Sequence, residues 1–216
     1  MSGFSRSPKL LRGGLVLLDP GSGAVLRIIG LQYNPDSLTR SLQIKGAGAD
    51  SGDRSEALRL KGPPVETIKL EAEIDATDAL ETASAPATTL GLHPQLAALE
   101  ALVHPRSADL IGANAIAASG ALDIAPALAP LSVFVFGPNR IVPVRITELS
   151  ITEEAFDVAL NPIRAKLSLS LRVLSVDDLG FDSRGGGLFM SYLQAKERLA
   201  GRAAAGNLQM LGISGL

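Results

Sequence analysis

The sequence predicts a mainly β fold of the α+β class: an antiparallel sheet with one packed helix and a further helix near the C-terminus. Two segments with period-two alternation support this prediction. Apolar and polar residues alternate without interruption along residues 161–173, and residues 67–74 repeat the pattern. Because successive side chains of a strand point to opposite faces, each segment is predicted to be a strand with one buried and one solvent-exposed face. Such strands are typical of antiparallel sheets.

The composition favours a protein with an aliphatic core. Of the 216 residues, 46% are hydrophobic but only 4% are aromatic, and the formal net charge is −2. A nearly neutral chain gives no electrostatic case for binding nucleic acid or an anionic membrane. The absence of cysteine excludes disulfides, thiol chemistry and thiolate metal sites, and it is compatible with assembly in a reducing compartment.

The sequence is not expected to direct the chain into or across a membrane. Residues 1–12 contain basic residues but no continuous apolar stretch with a cleavage site after it. The most apolar window, residues 110–136, is interrupted by Pro126 and Pro130. We therefore expect neither a secretory signal nor a transmembrane helix.

The first part of the chain is predicted to form hairpins, because short apolar runs are separated by turn-forming residues. The predicted strands are residues 14–19, 24–30, 38–45, 58–60 and 66–76. Residues 46–56 contain no apolar residue larger than alanine, so they are predicted to be a mobile loop at a hairpin tip.

The first predicted helix begins near Pro94, since proline suits a first helical turn, and it ends before Pro105. Residues 106–130 are rich in Ala, Gly, Ile and Pro, with weak periodicity. They are predicted to be an inserted loop, bounded by residues 104–131, with a short helical turn around residues 111–118. Their apolar character makes them a candidate contact surface.

Two further strands are predicted before the long alternating strand. Residues 131–136 form a continuous apolar run that ends at a Gly-Pro-Asn turn. In residues 141–156, Val142, Val144 and Ile146 share one parity, whereas Leu149 and Ile151 take the other. A β-bulge near Thr147 and Glu148 would place both sets on one face.

The predicted domain organisation is an N-terminal arm at residues 1–13, a β domain at 14–176, a flexible linker at 177–187 and a helix with its tail at 188–216. The linker contains three consecutive glycines at positions 185–187. A tail helix detached by such a linker suits docking on a neighbouring molecule. The residues predicted to form its docking face are Leu188, Phe189, Tyr192 and Leu193.

No combination of residues predicts a catalytic, cofactor or metal site. His93 and His104 lie eleven positions apart, whereas a metal pair on one helical face needs a spacing of about four. Adjacent carboxylates on a strand point to opposite faces, and the three glycines lack the Lys-Ser/Thr of a phosphate-binding loop. We therefore predict a protein that is not an enzyme and needs no cofactor.

The order of elements resembles the tube-adaptor, or tube-initiator, proteins of contractile injection systems, which are particles similar to phage tails. The segments that carry the resemblance are Tyr33-Asn34-Pro35, residues 67–75, residues 96–102 before Pro105, and residues 133–137, 143–151 and 162–171. Many relatives carry a LysM-type domain after the final strand, whereas residues 177–187 and the predicted helix take that place here. Residues 106–130 are also longer than the usual connection.

The resemblance implies a tail-tube-like fold, a curved antiparallel β-sandwich or half-barrel. It also implies a baseplate protein that forms a hexameric ring between the spike hub and the inner tube and nucleates tube assembly. Its partners would be copies of itself, the inner tube protein, the spike or hub protein and other baseplate components, with no nucleic acid and no direct membrane insertion. Assembly would take place in the cytoplasm. The resemblance leaves open whether the particle is released from the cell.

In such a ring, the open sheet edge of each subunit would be paired by the next subunit. The residues predicted to face the lumen or a neighbouring subunit are Lys69, Glu71, Glu73, Arg164, Lys166 and Arg172. Two alternatives are kept: the inner tube protein itself, which would be present in many more copies, and a monomeric β-barrel that binds a small ligand in an enclosed apolar cavity.

Overall fold

Seven antiparallel strands form one sheet, which confirms the predicted mainly β, α+β fold class. The computed structural model describes residues 11–46, 59–81, 85–120, 129–203, 206 and 208–213. The strands are β1 (Gly14–Leu18), β2 (Val25–Gly30), β3 (Leu38–Gln43), β4 (Val65–Asp75), β5 (Leu131–Val135), β6 (Ile141–Phe156) and β7 (Pro162–Val173). Their order across the sheet is β2-β1-β5-β6-β7-β4-β3, so β2 and β3 are the edge strands.

Some predicted segments lie outside the described residues. They include residues 1–10 of the predicted arm, residues 47–56 of the predicted mobile loop and its neighbours 57–58, and residues 121–128 of the predicted insertion. Six α-helices are assigned within the described part of the chain. They are α1 (Thr77–Glu81), α2 (Ala85–Leu90), α3 (His93–Glu100), α4 (Ser107–Ala118), α5 (Val176–Leu179) and α6 (Arg184–Ala200).

The two alternating segments form strands, as predicted. Strands β4 and β7 pair directly, with Ile68 opposite Leu171 and Leu70 opposite Leu169. These four side chains are buried, and the residues between them face the other side of the sheet. The buried side packs against Leu96 and Leu99 of α3 and against Phe189 and Tyr192 of α6 in one hydrophobic core, together with side chains of β1, β5 and β6.

The predicted bulge in β6 is confirmed. The pairing of β6 with β7 shifts between Ile146 and Glu148, and the Thr147 hydroxyl donates a hydrogen bond to the carbonyl oxygen of Ser170 at 3.0 Å. The extra residue returns Leu149 and Ile151 to the core side, opposite Leu169 and Leu167.

The predicted inserted loop contains a longer helix than expected. Helix α4 covers twelve residues, from Ser107, where the sequence predicted only a short turn around residues 111–118. None of its residues is buried, and Leu110 and Ile111 are exposed. The weak periodicity of this segment did not predict a helix of this length. Helices α1 and α2 were not predicted either.

The prediction of a flexible linker at residues 177–187 is wrong. The Ser175 hydroxyl and the Asp178 carboxylate form a capping box for α5, and the Ser183 hydroxyl accepts a hydrogen bond from the Gly186 amide at 2.9 Å. Glycine is required here for packing: a Cβ at Gly186 would overlap the carbonyl oxygen of Gly180, and one at Gly185 would overlap the side chain of Leu179. Gly185 and Gly186, in the first turn of α6, therefore allow the close approach of α5 and of Gly180 after it.

A side-chain link joins the segment after edge strand β2 to the end of β4, the neighbour of edge strand β3. Gln32, just after β2, donates a hydrogen bond from Nε2 to the Asp75 carbonyl oxygen at 2.8 Å. Its Oε1 accepts one from the Asp75 amide at 3.0 Å. The strands β2 and β3 do not pair with each other, so the backbone ladder stays open.

Candidate assembly interface

The edge strand β2 presents an apolar surface without a partner among the described residues. Its sequence is VLRIIG, and only its inner side is paired, with β1. Val25, Leu26 and Ile28 are 57%, 55% and 69% exposed. A free apolar edge is an aggregation hazard, because unpaired N–H and C=O groups act as a template for another strand. Burying each such side chain would contribute about 1.5–3 kcal/mol.

The opposite edge, β3, is more polar and extends beyond the sheet. It pairs only with β4, and Leu42 and Ile44 are exposed. The hairpin continues past β3, since the Lys61 amide donates to the Lys45 carbonyl oxygen at 2.9 Å and Gly46 bridges to Leu60. Each subunit thus has two different free edges, which is the arrangement that a head-to-tail contact requires.

We define the polar face as the side of β4, β6 and β7 that points away from the core. All six residues predicted to face a lumen or a neighbouring subunit lie on it: Lys69, Glu71, Glu73, Arg164, Lys166 and Arg172. The register places Glu73 opposite Lys166 and Asp75 opposite Arg164. That this face lines a lumen or meets another subunit stays a prediction.

Three of the four basic residues predicted to face a lumen or a neighbour form ion pairs with other residues of the same chain. Arg164 binds Asp75 (Nη2 to Oδ2, 2.9 Å), Lys166 binds Glu154 (Nζ to Oε1, 2.8 Å) and Arg172 binds Asp178 (Nη2 to Oδ1, 2.6 Å). By contrast, neither Lys69 nor Glu71 forms an ion pair with any described residue.

The pKa shifts on the polar face follow from these contacts. Hydrogen bonds from Thr77, and then the contact with Arg164, lower the pKa of Asp75 below its ordinary value. The hydrogen bond to Glu154 raises the pKa of Lys166. Both shifts favour the charged forms. The paired groups of this face are therefore compensating charges held in their ionised forms.

A concavity lies along the polar face. It has a volume of about 530 Å³, is partly open to solvent and is bounded by the loop at Tyr33–Ser37 and by residues of β4, β6 and β7. Its walls carry hydroxyl and charged groups, including Glu71, Thr152 and Lys166. An open polar groove does not match the enclosed apolar cavity expected of a small-ligand-binding barrel.

The predicted docking face on the C-terminal helix is wrong for two of its four residues. Phe189 and Tyr192 are buried in the subunit's own core, and Leu188 and Leu193 are half-buried. The amphipathic pattern identified the apolar side of α6 correctly. That side contacts its own sheet, because the capped turn through α5 leads the chain back onto it.

Sequence reasoning did not identify a buried carboxylate, Glu66, on the core side of β4. It accepts hydrogen bonds from Arg40 Nε at 2.7 Å, Tyr192 OH at 2.9 Å and Lys196 Nζ at 2.8 Å. Burial and the neighbouring carboxylate raise the pKa of Tyr192 to about 12. The signal was present in the sequence, since Glu66 has the same parity as Ile68 and Leu70. The network joins edge strand β3 to α6.

No group of three or more His, Asp or Glu side chains suited to a metal ion occurs within the described ranges. In that same part of the chain, no helix is long and apolar enough to span a membrane. Neither a protein-family model nor a curated protein matches the sequence.

Proposed function

We propose that this chain is a structural subunit that assembles with copies of itself into a closed ring through its sheet edges. The single observation that carries the proposal is the exposed apolar edge strand β2, which has no partner in the described structure, together with the second free edge at β3. Heterologous contacts between two different edges produce a ring when the rotation closes, and a ring leaves no edge unpaired.

The resemblance of the sequence extends this proposal to a particle. The ring would have six subunits and would form part of the baseplate of a contractile injection system, where it joins the spike hub to the inner tube and nucleates tube assembly. The polar face, with its fixed and compensating charges, would suit a hydrated lumen. The chain would act by assembly and not by catalysis.

The mass of the purified protein in dilute solution tests the ring. We expect six copies for the wild type and monomers for Ile28→Lys, because a charge on the edge opposes strand pairing. Phe181→Lys is the matched control: it also places a lysine at an apolar position that is 69% exposed, but between α5 and α6, and it should leave the mass unchanged. A wild-type protein that is monomeric at all concentrations would overturn the ring and favour a ligand-binding barrel.

Copy number in a purified particle separates the adaptor from the inner tube protein. Six copies in each sheathed particle are expected for the adaptor. Many multiples of six would assign the chain to the tube itself. If the chain were absent from such particles, the proposed role in an injection system would be refuted. The proposed ring would still be tested by the mass measurement.

A further inference from the structure

The β6–β7 hairpin ends in a rigid tip that displays apolar side chains to solvent. The hairpin tip comprises residues 155–161, in which Val158 is 108% exposed and Leu160 is 77% exposed. Ala155 and Leu160 have positive φ angles of 53° and 64°. Both conformations are unfavourable for residues other than glycine, so they persist only where the surroundings enforce them.

Asp157 enforces the shape of the tip. Its Oδ1 accepts hydrogen bonds from the amides of Ala159 at 2.7 Å and Asn161 at 2.8 Å, and its Oδ2 accepts one from Asn161 Nδ2 at 2.8 Å. The backbone adds bonds from Asp157 N to Asn161 O and from Leu160 N to Asp157 O, each 3.0 Å. The apolar side chains are thus held in place before any partner binds, which reduces the entropy lost on binding.

An apolar groove of matching character lies elsewhere on the same chain. The β2–α3 groove has a volume of about 280 Å³ and lies between β2, α3 and the end of β4. Ile28, Leu31, Ile74 and Leu99 are among its lining residues. The volume is below the roughly 300–1,000 Å³ of small-molecule pockets, and helix α4, at about 18 Å long, is too large for it. One or two aliphatic side chains suit it better.

The charges beside the two features are complementary. Arg27 lines the groove and is exposed, and Glu153 is exposed on the strand that leads to the tip. Neither forms an ion pair with a described residue of its own subunit. Glu73, which also lines the groove, already contacts Arg164 (Nε to Oε1, 3.5 Å).

We propose that the hairpin tip of one subunit inserts Val158 and Leu160 into the β2–α3 groove of a second copy. The tip cannot fill its own groove, since Asn161 fixes it to the Thr89 carbonyl oxygen and Val158 stays fully exposed. The inference deepens the proposed ring and rests on it for the identity of the partner. A six-residue edge spans only about 20 Å, whereas stable interfaces bury about 1,200–2,000 Å², so contacts beside the edge are required.

Engineered disulfides test this contact directly, because the chain has no cysteine. Val158→Cys protein is mixed with Gln95→Cys protein, in which the new thiol lies at the groove, and oxidised. We expect a covalent dimer in this mixture. The matched control, Val158→Cys with Glu197→Cys on exposed α6 surface, should give none. Circular dichroism of each variant checks that it is folded.

A charge exchange provides the second measurement. Glu153→Arg in the tip-bearing partner should lower the cross-linked yield by up to about fivefold, as expected for an exposed ion pair. Arg27→Glu in the groove-bearing partner should restore it. If the wild type is oligomeric but the Val158 and Gln95 variants do not cross-link above the control, the tip contact is wrong and the ring stands. If the wild type is monomeric, both proposals fail.

Discussion

Glu66 shows how one charged side chain can connect an edge strand to a terminal helix. It lies on the core side of β4, nearly inaccessible to solvent, with three donors from β3 and α6. Burial by itself acts to raise its pKa. Hydrogen bonds from Lys196, Arg40 and Tyr192 outweigh that effect and leave the pKa below its ordinary value. The ionised form is therefore the one that stabilises the fold.

Replacing Glu66 by glutamine should lower the free energy of unfolding at pH 7 by about 1–3 kcal/mol, because a charged acceptor shared by three donors is lost. Arg40 and Lys196 remain about one-third exposed and can be solvated, so the loss should stay below the cost of leaving a fully buried ion without a partner. Urea denaturation measures the change. The control is Glu71→Gln, exposed on the same strand, which should change stability by less than about 0.5 kcal/mol.

The pH dependence of this difference has a defined sign. A carboxyl group with a lowered pKa in the folded state contributes stability above its unfolded pKa of about 4.3, and the contribution is lost as the pH falls through the lower folded value. The gap between the wild type and Glu66→Gln should therefore narrow below about pH 4. If the difference in unfolding free energy stayed constant below pH 4, the ionised Glu66 carboxylate would not be the form that stabilises the fold.

Replacing Ala155 by glycine should raise the stability of the protein. Its φ of 53° lies in the left-handed region, where a Cβ costs about 1–2 kcal/mol, more than the roughly 0.5–1 kcal/mol lost through the greater freedom of unfolded glycine. We expect Ala155→Gly to stabilise the protein by up to about 1 kcal/mol in urea denaturation. Ala159→Gly, in the same tip but without a positive φ, should destabilise the protein. Equal effects of the two substitutions would contradict backbone strain at Ala155.

Residue parity in the strands could be predicted from the sequence, but the partners of individual side chains could not. The alternation in β4 placed Lys69, Glu71 and Glu73 on one face and Glu66 on the other. Tertiary packing brings Glu66 to its partners Arg40, Tyr192 and Lys196. These residues lie as many as 130 positions away in the sequence, so no local pattern encodes the contacts.

At the scale of elements, α6 is part of the core. Its apolar side covers the sheet next to β6, with Phe189 and Tyr192 buried. The sequence predicted the helix and its apolar side correctly but predicted a detached helix, because three glycines in a row are typical of a hinge. Here the small size of Gly185 and Gly186 is needed for the contact between α5 and the start of α6. Composition alone does not distinguish glycine used for flexibility from glycine used for close packing.

Phe189→Ala should destabilise the protein by about 3–5 kcal/mol, because it leaves a cavity in the core. The matched change on the same helix is Leu199→Ala, where the side chain is 44% exposed and the expected loss is under about 0.5 kcal/mol. Thermal or urea unfolding of the two variants measures the difference. Similar small losses for both would mean that α6 does not pack on the sheet.

At the scale of the whole molecule, the sheet is curved but not closed. Pairing of β2 with β3 would have completed a barrel. In the described structure these strands do not pair, and the Gln32 side chain, just after β2, bonds to the end of β4. The sequence predicted the strands, the bulge and the turns, all of which are local features. It could not predict how far the sheet curls, because curvature depends on how α3 and α6 fill the concave side.

The link at Gln32 should therefore control the opening of the sheet. Gln32→Ala removes two hydrogen bonds to the backbone of Asp75, at a cost of about 1–2 kcal/mol, and leaves the Asp75 amide without the acceptor that it has in the wild type. We expect the Asp75 amide to exchange hydrogen with solvent faster, while the amides of β7 retain their protection. Gln43→Ala, at the exposed end of β3, should leave the exchange at Asp75 unchanged. If the Asp75 amide keeps its wild-type exchange rate in Gln32→Ala, the packing of α3 and β2 holds the curl without this link, and the two free edges are fixed in space by the core alone.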